Sequence, residues 1–297
     1  MHAGGGVRPG AGPTKSTWLG GGFSRMASAE VRPVPSAPAL LVRPARPKRP
    51  WLAIADLHLG LAEGARSLPG PPEAAPARLV ESLIEIARRS GAERIVIAGD
   101  VKHPIVGTPK PLRPVVFDFF SRLLSEGFAV EVVLGNHDVG LVPYLPREVT
   151  VHPADGMVRD GVGVFHGHRW PSAEVLASER LVAGHLHPGY RFAPSGESPS
   201  GKLPCWVRAE FPARRRGAPA RRFSAKEIVV LPAFHPLAGR EALNRQKPRR
   251  GRSFLFLRFL GEGLPRAYLL DGTDVGPIVT PGPARRSGSP RRAPRAR

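Results

Sequence analysis

A single cysteine, Cys205, in 297 residues leaves no internal disulfide to form and gives no sign of an oxidising compartment. No stretch approaches the roughly 20 apolar residues that a membrane helix needs. The Gly-, Pro- and Arg-rich start holds no apolar run suited to a signal peptide, and Met26 is an alternative start. A soluble, cytoplasmic protein is the expectation. Acidic residues are scarce outside the centre. Residues 50–205 hold 15 Lys/Arg and 17 Asp/Glu, whereas the rest hold 29 basic and 7 acidic residues, so the flanks carry +22 against −2 in the centre, for a net charge of +20. The basic segments "ARRRGAPARR" (213–222), "KPRRGR" (247–252) and "RRSGSPRRAPRAR" (285–297) would attract polyanions. They lack the interleaved aromatics on which single strands stack. With 35 Pro and 34 Gly in the chain, such tracts also arise by compositional drift.

What is present is a strand and helix alternation without an internal repeat. Residues 1–37 read as a disordered extension. "PALLVR" (38–43) reads as a short edge strand and "WLAIAD" (51–56) as a buried strand with a polar end. Apolar residues at 79, 80, 83, 84, 86 and 87 predict a helix over 76–89, opened by Pro76 and stopped by Gly91. "RIVIAGD" (94–100) is a strand, 114–127 a second helix, and "AVEVVLGN" (129–136) a strand again. Two βαβ crossovers follow, hence a largely parallel sheet. Beyond 150 the elements are strands: 161–167, 180–187, 226–234, 253–260 and 266–271. They predict a second, mixed or antiparallel sheet packed on the first. Residues 193–225 read as a loop-rich basic insertion and 281–297 as a disordered basic tail, which leaves 38–280 as the folded domain.

The polar residues gather where strands end. "VVLGNHDVGL" (132–141) runs four apolar residues into Asn136, His137 and Asp138. Taken alone this is a polar turn. Yet "IADLH" supplies Asp56 and His58, "IAGD" supplies Asp100, "VFHGH" supplies His166 and His168, and "AGHLHP" supplies His185 and His187. Asp56 and His58 lie two apart, so in extended chain both project to one face. In open α/β sheets, ligands gather at the carboxyl ends of strands. Five polar strand ends are hard to explain as independent turns, and buried carboxylates and imidazoles are costly unless paired or bound to metal. Carboxylate, imidazole and one amide oxygen suit Mn²⁺, Fe²⁺ or Zn²⁺ better than a Ca²⁺ cage or a thiolate zinc site.

The ordered set D-x-H, G-D, G-N-H-D, H-G-H and G-H-x-H resembles the calcineurin-like metallophosphoesterase superfamily. Within it, "DLHLG", "GDVKH", "GNHD", "GHLHP", "LPCW" and "LPAFHPLAGREALN" are similar to a mainly archaeal group of SbcD-related phosphoesterases. The resemblance implies a four-layer α/β/β/α sandwich around two divalent ions, Mn²⁺ first. It implies Asp56, His58 and His187 on one ion, Asn136, His166 and His185 on the other, and Asp100 bridging. His137 would stand beside the leaving group, held in its tautomer by Asp138. His166 is preferred over His168 as the ligand after its strand. His103 is read beside the ligands, with a partly exposed loop histidine as the equal alternative. His152 and His235 are read as structural.

The implied chemistry is in-line attack on phosphorus by an activated hydroxide, with His137 serving the departing oxygen. Two substrate classes remain open: a nucleic-acid phosphodiester, favoured by the SbcD-like resemblance and the basic flanks, and a small nucleotide-like phosphoester. A nucleic-acid-binding protein with a vestigial site is disfavoured by the complete ligand set.

Overall fold

The computed structural model describes residues 29–45, 48–61, 75–192, 201–211, 224–244 and 265–278. The basic segments 213–222, 247–252 and 285–297, the strand expected at 253–260 and the tail 281–297 lie outside the described residues.

The first sheet has six strands in the order β1 to β6: β1 (Glu30–Pro33), β2 (Leu40–Arg43), β3 (Trp51–Ile54), β4 (Arg94–Ala98), β5 (Ala129–Val133) and β6 (Thr150–His152). The pairs from β3 to β6 are parallel, and β1 and β2 add antiparallel strands at one side. Two expectations change here. The stretch taken as disordered to residue 37 contributes β1, and β2 is therefore an inner strand, not an edge.

Helices α1 (Ala75–Ser90) and α2 (Leu112–Ser125) are the two crossovers. The α1 stripe of Leu79, Val80, Leu83, Ile84 and Ala87 is buried against the sheet, and Gly91, at φ 66°, ends the helix with the left-handed turn that glycine takes without strain.

The second sheet holds β7 (Met157–Arg159), β8 (Val162–Phe165), β9 (Arg180–Ala183), β10 (Pro188–Arg191), β11 (Lys202–Glu210), β12 (Glu227–Val230), β13 (Glu241–Ala242), β14 (Arg266–Leu269) and β15 (Asp274–Pro277). Its order is β13-β10-β11-β12-β9-β8-β7, with β14 on β11 and β15 on β14. The sheet is mixed: β8, β9 and β12 run parallel, while β10, β11, β12 and β14 pair antiparallel around β11. The insertion expected at 193–225 thus contains a nine-residue strand at the sheet's centre.

Period-two alternation sorts the strand side chains into layers. Ile95 and Ile97 face the helices, whereas Val96 and Ala98 face the second sheet. Val182 and Val229 meet them there, while Leu181, Ala183, Ile228 and Val230 point to the far side. Each valine, leucine or isoleucine among them, fully buried, stabilises the fold by about 1.5–3 kcal/mol. The result is the expected α/β/β/α sandwich. Its fourth layer is thin: among the described residues, the four-residue helix α3 (Ala173–Leu176) is the helix on that face, through Val175.

Candidate metal centre

Strands β3, β4 and β5 of one sheet and β8 and β9 of the other end at the same pole. Past each end the chain turns sharply. Asp56 (φ 59°), His58 (φ 43°), Asp100 (φ 54°), His185 (φ 70°) and His187 (φ 43°) all lie in the left-handed region. Non-glycine residues there cost about 1–3 kcal/mol each and persist where the surroundings enforce them. The enforcing device appears twice. In D-L-H the buried Leu57 plugs into the helix-side core, and in H-L-H the buried Leu186 plugs into the outer core of the second sheet. Each leucine anchors its turn while the flanking polar residues are thrown into the crevice. The convergence of Asp56 and His58 therefore comes from two left-handed residues beyond β3, not from same-face projection along an extended strand.

The side chains meet. Ligand atoms of Asp56, His58, Asp100 and His187 all lie within 4.8 Å of one another, as do those of Asp100, His166 and His185. Asp100 belongs to both groups. Asn136 joins the second through Oδ1, 3.2 Å from His166 Nε2. Asp56 and His166 are fully buried, and Asp100 and His58 nearly so.

Hydrogen bonds outside the cluster orient the rings. His166 Nδ1 lies 2.7 Å from the Ala98 carbonyl, and His187 Nδ1 lies 2.9 Å from the Gly239 carbonyl. A carbonyl only accepts, so each Nδ1 carries a proton and each Nε2 faces the cluster, where it offers a lone pair once it is unprotonated. The His166 Nε2 sits 3.2 Å from Asp100 Oδ1, and the His187 Nε2 sits 3.2 Å from Asp56 Oδ1 and 3.1 Å from His58 Nε2. Two imidazole nitrogens facing each other beside buried carboxylates, with no thiolate present, form a donor set that fits divalent transition ions.

The electrostatics divide the imidazoles, with His58 and His185 lowered and His166 and His187 raised. Burial pushes His58 down to about 3 and His185 down to about 4, so both are neutral and able to ligate. Burial also disfavours charge on Asp100 and His166. Their mutual contact outweighs it, holding the Asp100 carboxyl well below its usual range and lifting His166 to about 9.

The turn at Gly135–Asp138 differs in one respect from expectation. Asp138 does not reach the His137 ring. Its Oδ1 accepts from the Val101 amide (2.9 Å) and the Lys102 amide (3.4 Å), and its Oδ2 accepts from the Gly135 amide (2.8 Å). The partner of His137 Nδ1 is the His103 carbonyl. Buried backbone amides need acceptors, and these three take up both oxygens of Asp138. His137 Nε2 remains 3.8 Å from Asp100 Oδ2.

Of the remaining histidines, His103 stays beside the cluster, its ligand atom within 4.8 Å of those of His58 and His137. His103 is exposed, its Nδ1 3.4 Å from His58 Nδ1 and its ring stacked on His137. His168 stands one ring farther out, 5.3 Å from His166, and burial lowers it to about 4. His152 bonds Glu131 at 2.8 Å, away from the cluster. His235, read as structural, is nearer than expected: its amide donates to the Asp56 carbonyl at 3.2 Å. Segment 231–239 thus braces both Asp56 and His187, mostly through backbone groups.

No family model matches the chain, and no curated protein is similar to it. Among solved structures, it is similar to the Pseudomonas putida nuclease MPE, with a TM-score of 0.49 and 18% identity over 84% of this chain and 100% of that one. It is also similar to YfcE, a phosphoesterase from E. coli, with a TM-score of 0.35 and 16% identity over 78% of this chain and 99% of that one. The functional reading rests on the site's own geometry.

Proposed function

We propose that this chain is a metal-dependent phosphoesterase of the calcineurin-like type that hydrolyses a phosphodiester. The observation that carries the reading is the gathering of seven side chains from five strand ends at one buried pole, with Asp100 common to both groups of ligand atoms. In this reading Asp56, His58 and His187 hold one divalent ion, Asn136, His166 and His185 hold another, and Asp100 serves both. When bound, the ions supply Lewis acidity that neutralises phosphoryl oxygens and acidifies water, Mn²⁺ being first choice and Fe²⁺ or Zn²⁺ alternatives.

The chain's own contributions are distinct. The Ala98 and Gly239 carbonyls fix the rings of His166 and His187 before any ion arrives, so little reorganisation is needed. His137 is partly exposed at the rim, with Nδ1 tied to the His103 carbonyl and Nε2 turned toward Asp100. From there, when protonated, it donates to the departing alkoxide oxygen. Asp138 holds the turn that presents it.

The substrate proposed first is a nucleic-acid phosphodiester, on the strength of the basic segments. A small nucleotide-like phosphoester is the second reading, because residues 50–205, which carry all seven side chains, are close to neutral. The test of the activity is direct. Metal-stripped full-length protein should hydrolyse bis(p-nitrophenyl) phosphate only after Mn²⁺ is restored. Full turnover surviving exhaustive chelation contradicts the reading. Single- and double-stranded DNA and p-nitrophenyl phosphate in the same assay separate the two substrate classes.

A further inference from the structure

Lys102 has no exposed surface. Lysine is almost never fully buried unless its ammonium has partners, because desolvating it is costly. Its partners here are backbone. Nζ donates to the Pro104 carbonyl at 2.6 Å and to the His137 carbonyl. Residue 137 is consequently held at three points. Its amide donates to Asp100 Oδ1 at 2.9 Å, its carbonyl accepts from Lys102, and its ring Nδ1 donates to the carbonyl of His103, the next residue after Lys102. The loop that supplies Lys102 and His103 is itself pinned. The His103 amide donates to the Leu59 carbonyl at 2.9 Å, and Lys102 forms an isolated bridge with Leu59.

An apolar side chain of similar length would fill this space, and volume-conserving swaps are usually tolerated in cores. The ammonium adds something that packing cannot: it fixes the peptide plane following His137, and with it the direction of the imidazole. Resting on the phosphoesterase reading, we infer that Lys102 is a positioning residue for His137, acting through the His137 and Pro104 carbonyls and touching no substrate. The His137 ring then needs no carboxylate of its own, consistent with Asp138 being committed to backbone amides.

The test compares full-length wild type, Lys102→Met, His137→Ala and the double variant, all Mn²⁺-loaded. The substrates are bis(p-nitrophenyl) phosphate, whose leaving group needs little protonation, and a dinucleotide phosphodiester, whose leaving group needs much. Lys102→Met should retain its metal content and lose about tenfold or more in kcat on the dinucleotide, with little loss on the nitrophenyl ester. Added to His137→Ala, it should cost nothing further. Equal losses on both substrates, multiplicative losses in the double variant, or lost metal would overturn the inference. A second readout does not need activity. Long-range ¹⁵N NMR of the Zn²⁺-loaded protein, with His137→Ala identifying the signals, should show one Nδ1-protonated tautomer in wild type and averaging in Lys102→Met. An unchanged ring overturns the inference. If wild type hydrolyses no diester, the phosphoesterase reading fails on its own and the ring signal alone decides positioning. Should circular dichroism show Lys102→Met unfolded, Lys102→Gln is read in the same way. Unfolding of both would make Lys102 a fold residue and end the inference.

Discussion

His166 and Asp100 face each other at 3.2 Å with almost no water at either, and this pair makes the metal-free protein sensitive to alkali. Buried His166 has its folded pKa raised to about 9 by Asp100, so its stabilisation is complete below its unfolded value and is lost as pH rises through 9. His58, His168 and His185 are lowered by burial to about 3, 4 and 4, so their contribution is lost in the other direction, as pH falls below the unfolded value near 6.5. Thermal unfolding of the metal-free protein should therefore show a Tm maximum between these limbs, and added Mn²⁺ should raise Tm most on the alkaline limb, where His166 has given up its proton. A flat profile between pH 5 and 9 contradicts this. In catalysis, His137→Ala should lower kcat by roughly 10²–10⁴-fold on diesters with poor leaving groups, and far less on nitrophenyl esters, with metal content unchanged. The polar members of the cluster were legible in the sequence because each motif ends a hydrophobic strand. The Gly239, Ala98 and His103 carbonyls that orient the rings were not, since a carbonyl belongs to every residue and leaves no mark in composition.

At the scale of elements, the turns are enforced by neighbours that leave no room. A Cβ at Gly135 would lie 2.3 Å from both the Asp100 amide nitrogen and Oδ1, and one at Gly99, itself at φ 85°, would lie 2.4 Å from His166 Nδ1. These glycines in G-D and G-N-H-D mark where two strand ends touch. Gly135→Ala should displace Asp100 and lower activity by roughly 10²-fold, the loss expected of a shift near 1 Å, while circular dichroism stays native. A fully active Gly135→Ala protein contradicts the packing argument. A second element-scale tie joins the sheets: Glu131 on β5, 1% exposed, meets Arg94, Arg159 on β7 and His152 on β6. Burial opposes its charge, but the His152 hydrogen bond and the two arginines prevail and lower its pKa, so its stabilisation is present above the unfolded value and is lost as pH falls. Glu131→Ala should cost about 3 kcal/mol in denaturant unfolding, since the arginines are left without their carboxylate. Helices and parallel strands were readable from their periods. Strand β11 was not: Pro204 and its charged neighbours read as loop, because proline cannot donate to a sheet ladder. In the structure Pro204 pairs only with the short β10, and the buried run Cys205–Val207 does the packing. Strand β1 escaped notice for a related reason, having four half-buried residues and no apolar alternation.

At the scale of the whole molecule, two sheets built from distant parts of the chain present their carboxyl ends to one crevice, which is why residues 56 and 187 can share a ligand cluster. The two-sheet α/β plan was legible because βαβ spacing precedes a run of strands, and the four layers through the resemblance; that α3 is, among the described residues, the one helix on the outer face was not, since four residues leave little periodicity to read. The charge distribution carries its own prediction. If the segments 213–222 and 285–297 track a phosphate backbone, DNA affinity should fall with salt by about 0.9 in log K per log salt for each phosphate neutralised. Removing 285–297 and neutralising the arginines of 213–222 should flatten that slope and leave turnover of a small diester unchanged. Identical slopes in intact and trimmed protein would favour the small-phosphoester substrate. The central claim, however, is the pair of metal positions about Asp100. Anomalous diffraction from Mn²⁺-soaked crystals tests it most directly. Two peaks about 3.5–4 Å apart are predicted, one against Asp56, His58 and His187, the other against Asn136, His166 and His185, with Asp100 reaching both. No peak in the crevice, or peaks bound only by residues outside this set, would contradict it.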